Sequence, residues 1–254
     1  MKVIAIANQK GGCAKTTTVV NLAAALAEQQ QRVLVVDLDP QANASAWLGS
    51  DSAVNGSFRL MTTKDDIGHL IEQTETAGVS LISASRDLSG LEKALVGEIA
   101  VETKLKRRLS GLDQKAWDFV LLDTPPTLGL MTLNALAAAG KLLIPVTTHI
   151  LTLSGVAQLM VTFTEVRELL NPDLEILGLL PSRVDSRTRH AQEILSALEE
   201  KFGDRVLKSR IHESIRLAEA PSFTQSILAY QSRSTAAKDY RALANEILKL
   251  INTP

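Results

Sequence analysis

The stretch KGGCAKTTT, residues 10 to 18, places two lysines five positions apart around a pair of glycines. Residue types in this order suit an anion. Gly11 and Gly12 let the backbone approach a bound group closely, Lys15 can reach terminal phosphates, and the Thr16 hydroxyl can ligate Mg²⁺. The usual phosphate-loop pattern, G-x-x-x-x-G-K-[ST], is missed at both glycines, because Gln9 and Ala14 stand there, and Lys10 is an addition to it. Three carboxylates belong to the same chemistry. Asp37 and Asp39 follow the apolar run in RVLVVDLDPQ, and Asp123 ends the run in FVLLDTPP. An aspartate that closes an apolar strand is a usual partner of phosphate-bound magnesium.

Such a loop works only if a strand delivers it and a helix follows it. Runs at 2–8, 32–39, 79–85, 118–126, 141–146 and 174–185 are almost continuously apolar and rich in β-branched residues. That pattern predicts parallel strands covered on both faces. Between them, 16–31, 152–171 and 189–202 repeat apolar residues at three and four, the helical spacing. The alternation predicts a doubly wound α/β fold, a mostly parallel sheet with right-handed crossovers and helices on both faces. The loop then lies between the first strand and the first helix, where unpaired N–H groups and the helix dipole favour phosphate. The three aspartates reach the carboxyl edge of the sheet, where ligands bind in such folds. A last helix is expected from an N-cap at Ser234 to Ile251, and 49–78 reads as loops around a short helix. No repeat or shift in composition divides the chain, so one domain over 1–254 is expected.

Bulk composition excludes several classes. A chain of 254 residues, 45% hydrophobic and 22% charged, can bury a large core. Its net charge of −1 provides no overall attraction for nucleic acid, so any DNA contact needs a local patch. Cys13 is the lone cysteine, which rules out an intramolecular disulfide framework or a cysteine-cluster metal site and fits a reducing compartment. No secretory h-region opens the chain, and no apolar run approaches the roughly 20 residues of a membrane span. A soluble cytoplasmic protein is expected.

KGGCAKTTT, DLDPQANAS, LLDTPPTLGLMTLNALAAA and RLAEAPS together resemble the ParA/Soj family of deviant Walker ATPases, related to MinD and McdA, over nearly the whole chain. In that family the loop reads K-G-G-x-x-K-[ST], so Lys10 is the signature lysine. The resemblance implies ATP and Mg²⁺ as cofactors, with nucleotide contacts over Lys10, Gly11, Gly12, Cys13, Ala14, Lys15, Thr16 and Thr17. It implies catalytic roles for Lys10, Lys15, Asp39 and Asp123. Lys10 would reach across an ATP-sandwiched homodimer to the partner's phosphates, Asp39 would orient the attacking water, and Thr16, Asp37 and Asp123 would form the metal site. Two departures are visible. Ala14 replaces a customary glycine, and a left-handed backbone there would cost about 1 kcal/mol. RIHESIR stands where relatives tend to have I-P-R-N-V-R, which puts His212 and Ser214 beside the adenine in place of proline and asparagine.

The resemblance also implies nonspecific DNA binding by the ATP dimer and release by a partner that stimulates hydrolysis. Contacts are expected at Arg189, Arg210 and Arg216, the last within RLAEAPS. Residues 203–241 hold seven Lys/Arg against four Asp/Glu, a small local excess of positive charge, whereas KLKRR at 104–108 reads as a solvated helix face. The leading expectation is a nucleoid-associated ATPase that partitions a plasmid or chromosome with a ParB-like centromere-binding protein. The alternative is the same cycle positioning a protein cargo through an adaptor, as for carboxysomes or chemotaxis arrays. A MinD-like membrane switch would want a basic amphipathic C-terminal helix, and ALANEILKLINTP carries mixed charge. An enzyme of the nitrogenase-iron-protein type would want cluster cysteines, and one of the dethiobiotin-synthetase type a substrate pocket that the sequence does not reveal. The first strand begins at residue 2, so no helix-turn-helix extension and no operon autoregulation is expected.

Overall fold

The computed structural model of the chain describes residues 1–148 and 152–252. Its strands are β1 (Lys2–Ile6), β2 (Val33–Asp37), β3 (Glu72–Gln73), β4 (Val79–Ile82), β5 (Phe119–Asp123), β6 (Lys141–Thr147), β7 (Glu175–Val184) and β8 (Ile211–His212). The helices are α1 (Lys15–Glu28), α2 (Asn43–Trp47), α3 (Gly56–Thr62), α4 (Leu91–Ala94), α5 (Lys104–Leu109), α6 (Leu130–Ala138), α7 (Thr152–Leu169), α8 (Arg189–Phe202), α9 (Ile215–Glu219), α10 (Ile227–Tyr230) and α11 (Thr235–Asn252), with short 3₁₀ turns between some of them.

The eight strands form one sheet in the order β3-β4-β2-β5-β1-β6-β7-β8. Every pairing is parallel except β3 with β4, so the doubly wound fold read from the sequence is present. The central strands β2 and β5 are buried at all positions. Alternate residues serve opposite faces, which explains their unbroken hydrophobicity. Leu34, Val36, Val120 and Leu122 join one core with Leu136, Leu159 and Leu198, while Val33, Val35, Phe119 and Leu121 join another with Leu22, Leu26, Leu243 and Ile247. β1 lies between β5 and β6. The chain leaves it toward β2 on one side and later returns to β6 on the other, so the segment after β1 opens at a switch point of the strand order.

All six expected strands form. β3 and β8, two residues each at the sheet edges, carry no readable period and escape sequence reasoning. The expected cap of the last helix is also present, since the Ser234 hydroxyl accepts the Ala237 N–H at 3.2 Å. Ala236, Tyr240, Leu243, Ala244 and Ile247 bury the apolar face of α11, so that face is not available to a lipid surface. Thr253 and Pro254, the end of the segment weighed above as a membrane anchor, lie outside the described residues. Among the described residues no helix is long and apolar enough to cross a membrane.

Candidate active site

The segment between β1 and α1 turns on two left-handed residues, Gly12 at φ 73° and Ala14 at φ 69°. Ala14 is the N-cap of α1, yet no side chain caps the helix. The first intrahelical bond runs from Thr18 N to Ala14 O at 2.9 Å, so the N–H groups of Lys15, Thr16 and Thr17 have no helical acceptor. Three donors at the positive end of a 14-residue helix make an anion site. Lys15 is only 7% exposed. Its ammonium folds inside the loop, donating to the Lys10 carbonyl at 3.5 Å and lying 4.0 Å from Cys13 Sγ.

The condition set by the sequence at Ala14 is therefore met, because a Cβ does occupy a left-handed backbone. Ala14→Gly is expected to relieve about 1 kcal/mol and raise the thermal midpoint by about 2–4 °C. A midpoint unchanged or lowered in calorimetry would mean that the loop is not strained at this residue.

The three carboxylates divide the work. Asp37 and Asp123 are register partners at the ends of β2 and β5, and both are fully buried. Burial raises the Asp37 carboxyl to about 6. Asp123 is raised well above the usual range by burial and then by the neighbouring Asp37. Asp37, expected among the metal ligands, has both oxygens engaged by protein. Oδ1 accepts the Asp39 N–H at 3.1 Å, and Oδ2 accepts the Ser45 N–H at 2.9 Å and the Ser45 hydroxyl at 2.7 Å. Asp123 differs. Its Oδ2 accepts the Thr16 hydroxyl at 2.7 Å, and its Oδ1 is buried without a partner. An orphaned, buried carboxylate oxygen beside a threonine hydroxyl fits a magnesium ion, which takes one or two protein oxygens and completes its shell with phosphate and water. Asp39 is nearly buried. Its Oδ1 accepts the Gln41 N–H at 2.9 Å, and its other oxygen has no protein hydrogen bond among the described residues.

A cleft of about 1100 Å³ runs from this loop to the far edge of the sheet. Gly11, Gly12, Ala14, Lys15, Thr16, Thr17 and Asp39 line one end, and His212 and Ser214 line the other. Two expected nucleotide residues lie outside its wall. Cys13 is fully buried, and burial pushes its thiol up, as suits an inert filler. Lys10 is half-buried, with its N–H held by Asn8 Oδ1 at 3.1 Å. Sequence reasoning missed Gln41, Asn43 and the end of β7, where Arg183, Asp185 and Arg187 enter the wall. The rule that sites form at the carboxyl ends of strands could have found the β7 group, since LPSRVDSR closes an expected strand.

A family model described as an AAA domain matches residues 1–176. The chain is 40% identical over 248 residues to the sporulation initiation inhibitor protein Soj of Bacillus subtilis, covering 97% of this chain and 98% of that protein. It is 44% identical over 245 residues to the chromosome-partitioning ATPase Soj of Thermus thermophilus, covering 96% and 94%. The chain belongs to the ParA/Soj family. A solved structure described as cobyrinic acid a,c-diamide synthase from Mycobacterium smegmatis with bound ADP and magnesium superposes with a TM-score of 0.87 at 35% identity, covering 100% of this chain and 96% of that one.

Membership of the ParA/Soj family makes the chain an ATP hydrolase of the partitioning type that uses ATP and Mg²⁺. The family implies an ATP-dependent dimer and partners in partitioning. Two of the three arginines expected at DNA are associated with different turns of α8. Arg189 opens α8, whereas Arg210 donates to Glu199 at 2.9 Å, ten residues and about 15 Å further along that helix. Arg216 donates to Glu219 at 2.8 Å, one turn on in α9. The KLKRR group presents the solvated face expected at Lys106 and Arg107, which are exposed, whereas Arg108 is half-buried and donates to the carbonyls of Leu60 and Asp65.

Proposed function

We propose that this chain is a nucleotide-gated partitioning switch, a single ATPase domain that works on the nucleoid of a bacterial cytoplasm. The observation that carries the reading is the uncapped start of α1, with Lys15 folded into the loop and Thr16 bonded to Asp123 behind it. Backbone N–H groups of the 10–17 loop and the Lys15 ammonium hold the triphosphate. Thr16 and Asp123 hold Mg²⁺, which neutralises charge on the phosphates when bound. Asp37 acts from behind the site, fixing Asp39 and Ser45 in place. Asp39 orients the attacking water. His212 and Ser214 lie at the base end.

Two ATP-bound chains then close face to face, and Lys10 of each brings a second positive charge to the partner's phosphates. The dimer joins two weak basic surfaces, and avidity lets a near-neutral chain hold DNA without sequence preference. A ParB-like centromere-binding or cargo-adaptor protein stimulates hydrolysis and releases it.

The test is binding to nonspecific duplex DNA with ATP, with ADP and without nucleotide across a salt series. Binding only with ATP, weakening steeply as salt rises, is the expected result. Equal binding in all three states, or none with ATP once dimerisation is confirmed, would overturn the DNA-gated part of the proposal. Arg216→Glu is expected to weaken that binding several-fold and to flatten the salt slope, while ATP-dependent dimerisation in analytical ultracentrifugation is retained. Unchanged DNA affinity would remove Arg216 from the interface.

A further inference from the structure

Between β1 and the phosphate loop, one buried side chain decides how the chain leaves the sheet. β1 pairs with β6 as far as Ile6 and Leu143, and the Ala7 N–H still reaches the Leu143 carbonyl at 3.2 Å. Continued by two residues, that ladder would bring the Gln9 N–H to the Pro145 carbonyl. The Asn8 side chain takes this carbonyl instead, its Nδ2 donating at 2.7 Å. Its Oδ1 accepts the Lys10 N–H at 3.1 Å. One amide thus replaces the next strand bond and fastens the start of the loop to β6.

Asn8 is 1% exposed, and both ends of its amide are engaged. A carbonyl can only accept and an N–H only donate, so the amide fits one way round and a flip would set like against like. The residue it fastens is Lys10. There the N–H is held by Asn8, and the carbonyl faces the Lys15 ammonium at 3.5 Å. The Lys10 Cβ lies beside α7, where a Cβ added to Gly155 would stand 3.9 Å from it and 3.5 Å from Asn8 Oδ1. A lysine side chain is a flexible four-carbon stem, so its direction has to come from the backbone that carries it.

We infer that Asn8 is a positioning residue for ATP turnover, setting the direction in which Lys10 leaves the loop so that its ammonium meets the partner's phosphates when two chains close. This rests on the role in trans proposed above for Lys10. Asn8 does not line the cleft, so it acts through the lysine and not on the nucleotide. Such an arrangement matters to rate more than to binding, because a catalytic group misplaced by about 1 Å can cost about a hundredfold in turnover.

The experiment compares phosphate release at saturating ATP, and calorimetric affinity for a nonhydrolysable ATP analogue, among the full chain, Lys10→Ala, three Asn8 variants and the double variant Asn8→Leu with Lys10→Ala. Asn8→Leu keeps the branched shape and removes both hydrogen bonds, and Asn8→Ala removes them without filling the space. In Asn8→Ser the hydroxyl can still accept an N–H two residues on. Lys10→Ala is expected to lower turnover about a hundredfold and Asn8→Leu about tenfold, with affinity for the analogue within about threefold in both. Asn8→Ser should recover most of the rate. In the Lys10→Ala background Asn8→Leu should cost nothing further, because both changes remove the same contribution. A tenfold loss that persists in that background, affinity that falls in step with turnover, Asn8→Ser no faster than Asn8→Leu, or native turnover in Asn8→Leu and Asn8→Ala would each overturn the inference alone. Failure of both Asn8→Leu and Asn8→Ala to fold, read by circular dichroism, would make Asn8 purely structural and overturn it too. Native turnover in Lys10→Ala would overturn the reading of Lys10 and the inference with it.

Discussion

Lys15→Ala is expected to abolish nucleotide binding at micromolar protein, an affinity loss on the order of a hundredfold or more. The ammonium is almost wholly buried, and its hydrogen-bond partners in the loop are one carbonyl at 3.5 Å and a sulfur at 4.0 Å. A charge removed from water with such weak compensation is poorly solvated. A triphosphate at the start of α1 supplies the missing countercharge, so the two groups stabilise each other in a water-poor setting where the pairing is strong. Alanine at this position removes the cation and keeps helix propensity, so α1 should still form. The measurement is titration of ATP with Mg²⁺ into the variant, with circular dichroism to confirm the fold. A dissociation constant within tenfold of the native value would show that the backbone N–H groups hold the phosphates without the lysine.

Asp39→Ala is expected to separate binding from turnover. Asp39 lines the loop end of the cleft, one carboxyl oxygen fixed by the Gln41 N–H and the other without a protein partner among the described residues. A carboxylate held in place on one side and free on the other can position a water or take its proton. Removing such a group typically lowers the chemical step by about 10²–10⁴-fold. No phosphate-holding donor is lost, so ATP affinity should stay within a few-fold. The ATP-bound dimer should accumulate, and DNA binding should persist where the native chain has hydrolysed its nucleotide and released. Measuring phosphate release beside ATP affinity decides the matter. Normal turnover would move the water-positioning role to another residue of the cleft.

Much of this architecture was legible before any coordinates. The central strands announce themselves because both faces are covered, so every position is apolar and the period disappears in a recognisable way. The short edge strands β3 and β8 could not be read, since two residues contain no pattern and their pairing depends on neighbours far along the chain. The phosphate loop could be placed because its strand and helix flank it directly in sequence. The three aspartates are harder to tell apart. Each ends or follows an apolar run, and only the fold reveals that Ser45 occupies Asp37 while one oxygen of Asp123 is left without a partner. The His212 end of the cleft was less legible still, since Asp239, which holds His212, lies 27 residues further on and arrives on another element.

The register of the central strands has one more consequence, for folding fidelity. Because β2 and β5 are apolar on both faces, hydrophobicity alone does not penalise sliding one past the other, as it would in a strand with one wet face. What marks the correct alignment is the aspartate closing each strand, with Asp37 level with Asp123 at the rim. A slip would carry one of these acids inward among the valines and leucines, away from the Ser45 and Thr16 hydroxyls that solvate it, at a cost of several kcal/mol for an unpaired buried carboxylate. The acids that prepare the site for chemistry thereby also reject misaligned sheets, and a chain stripped of both would be expected to refold more slowly and less cleanly as well as to lose its activity.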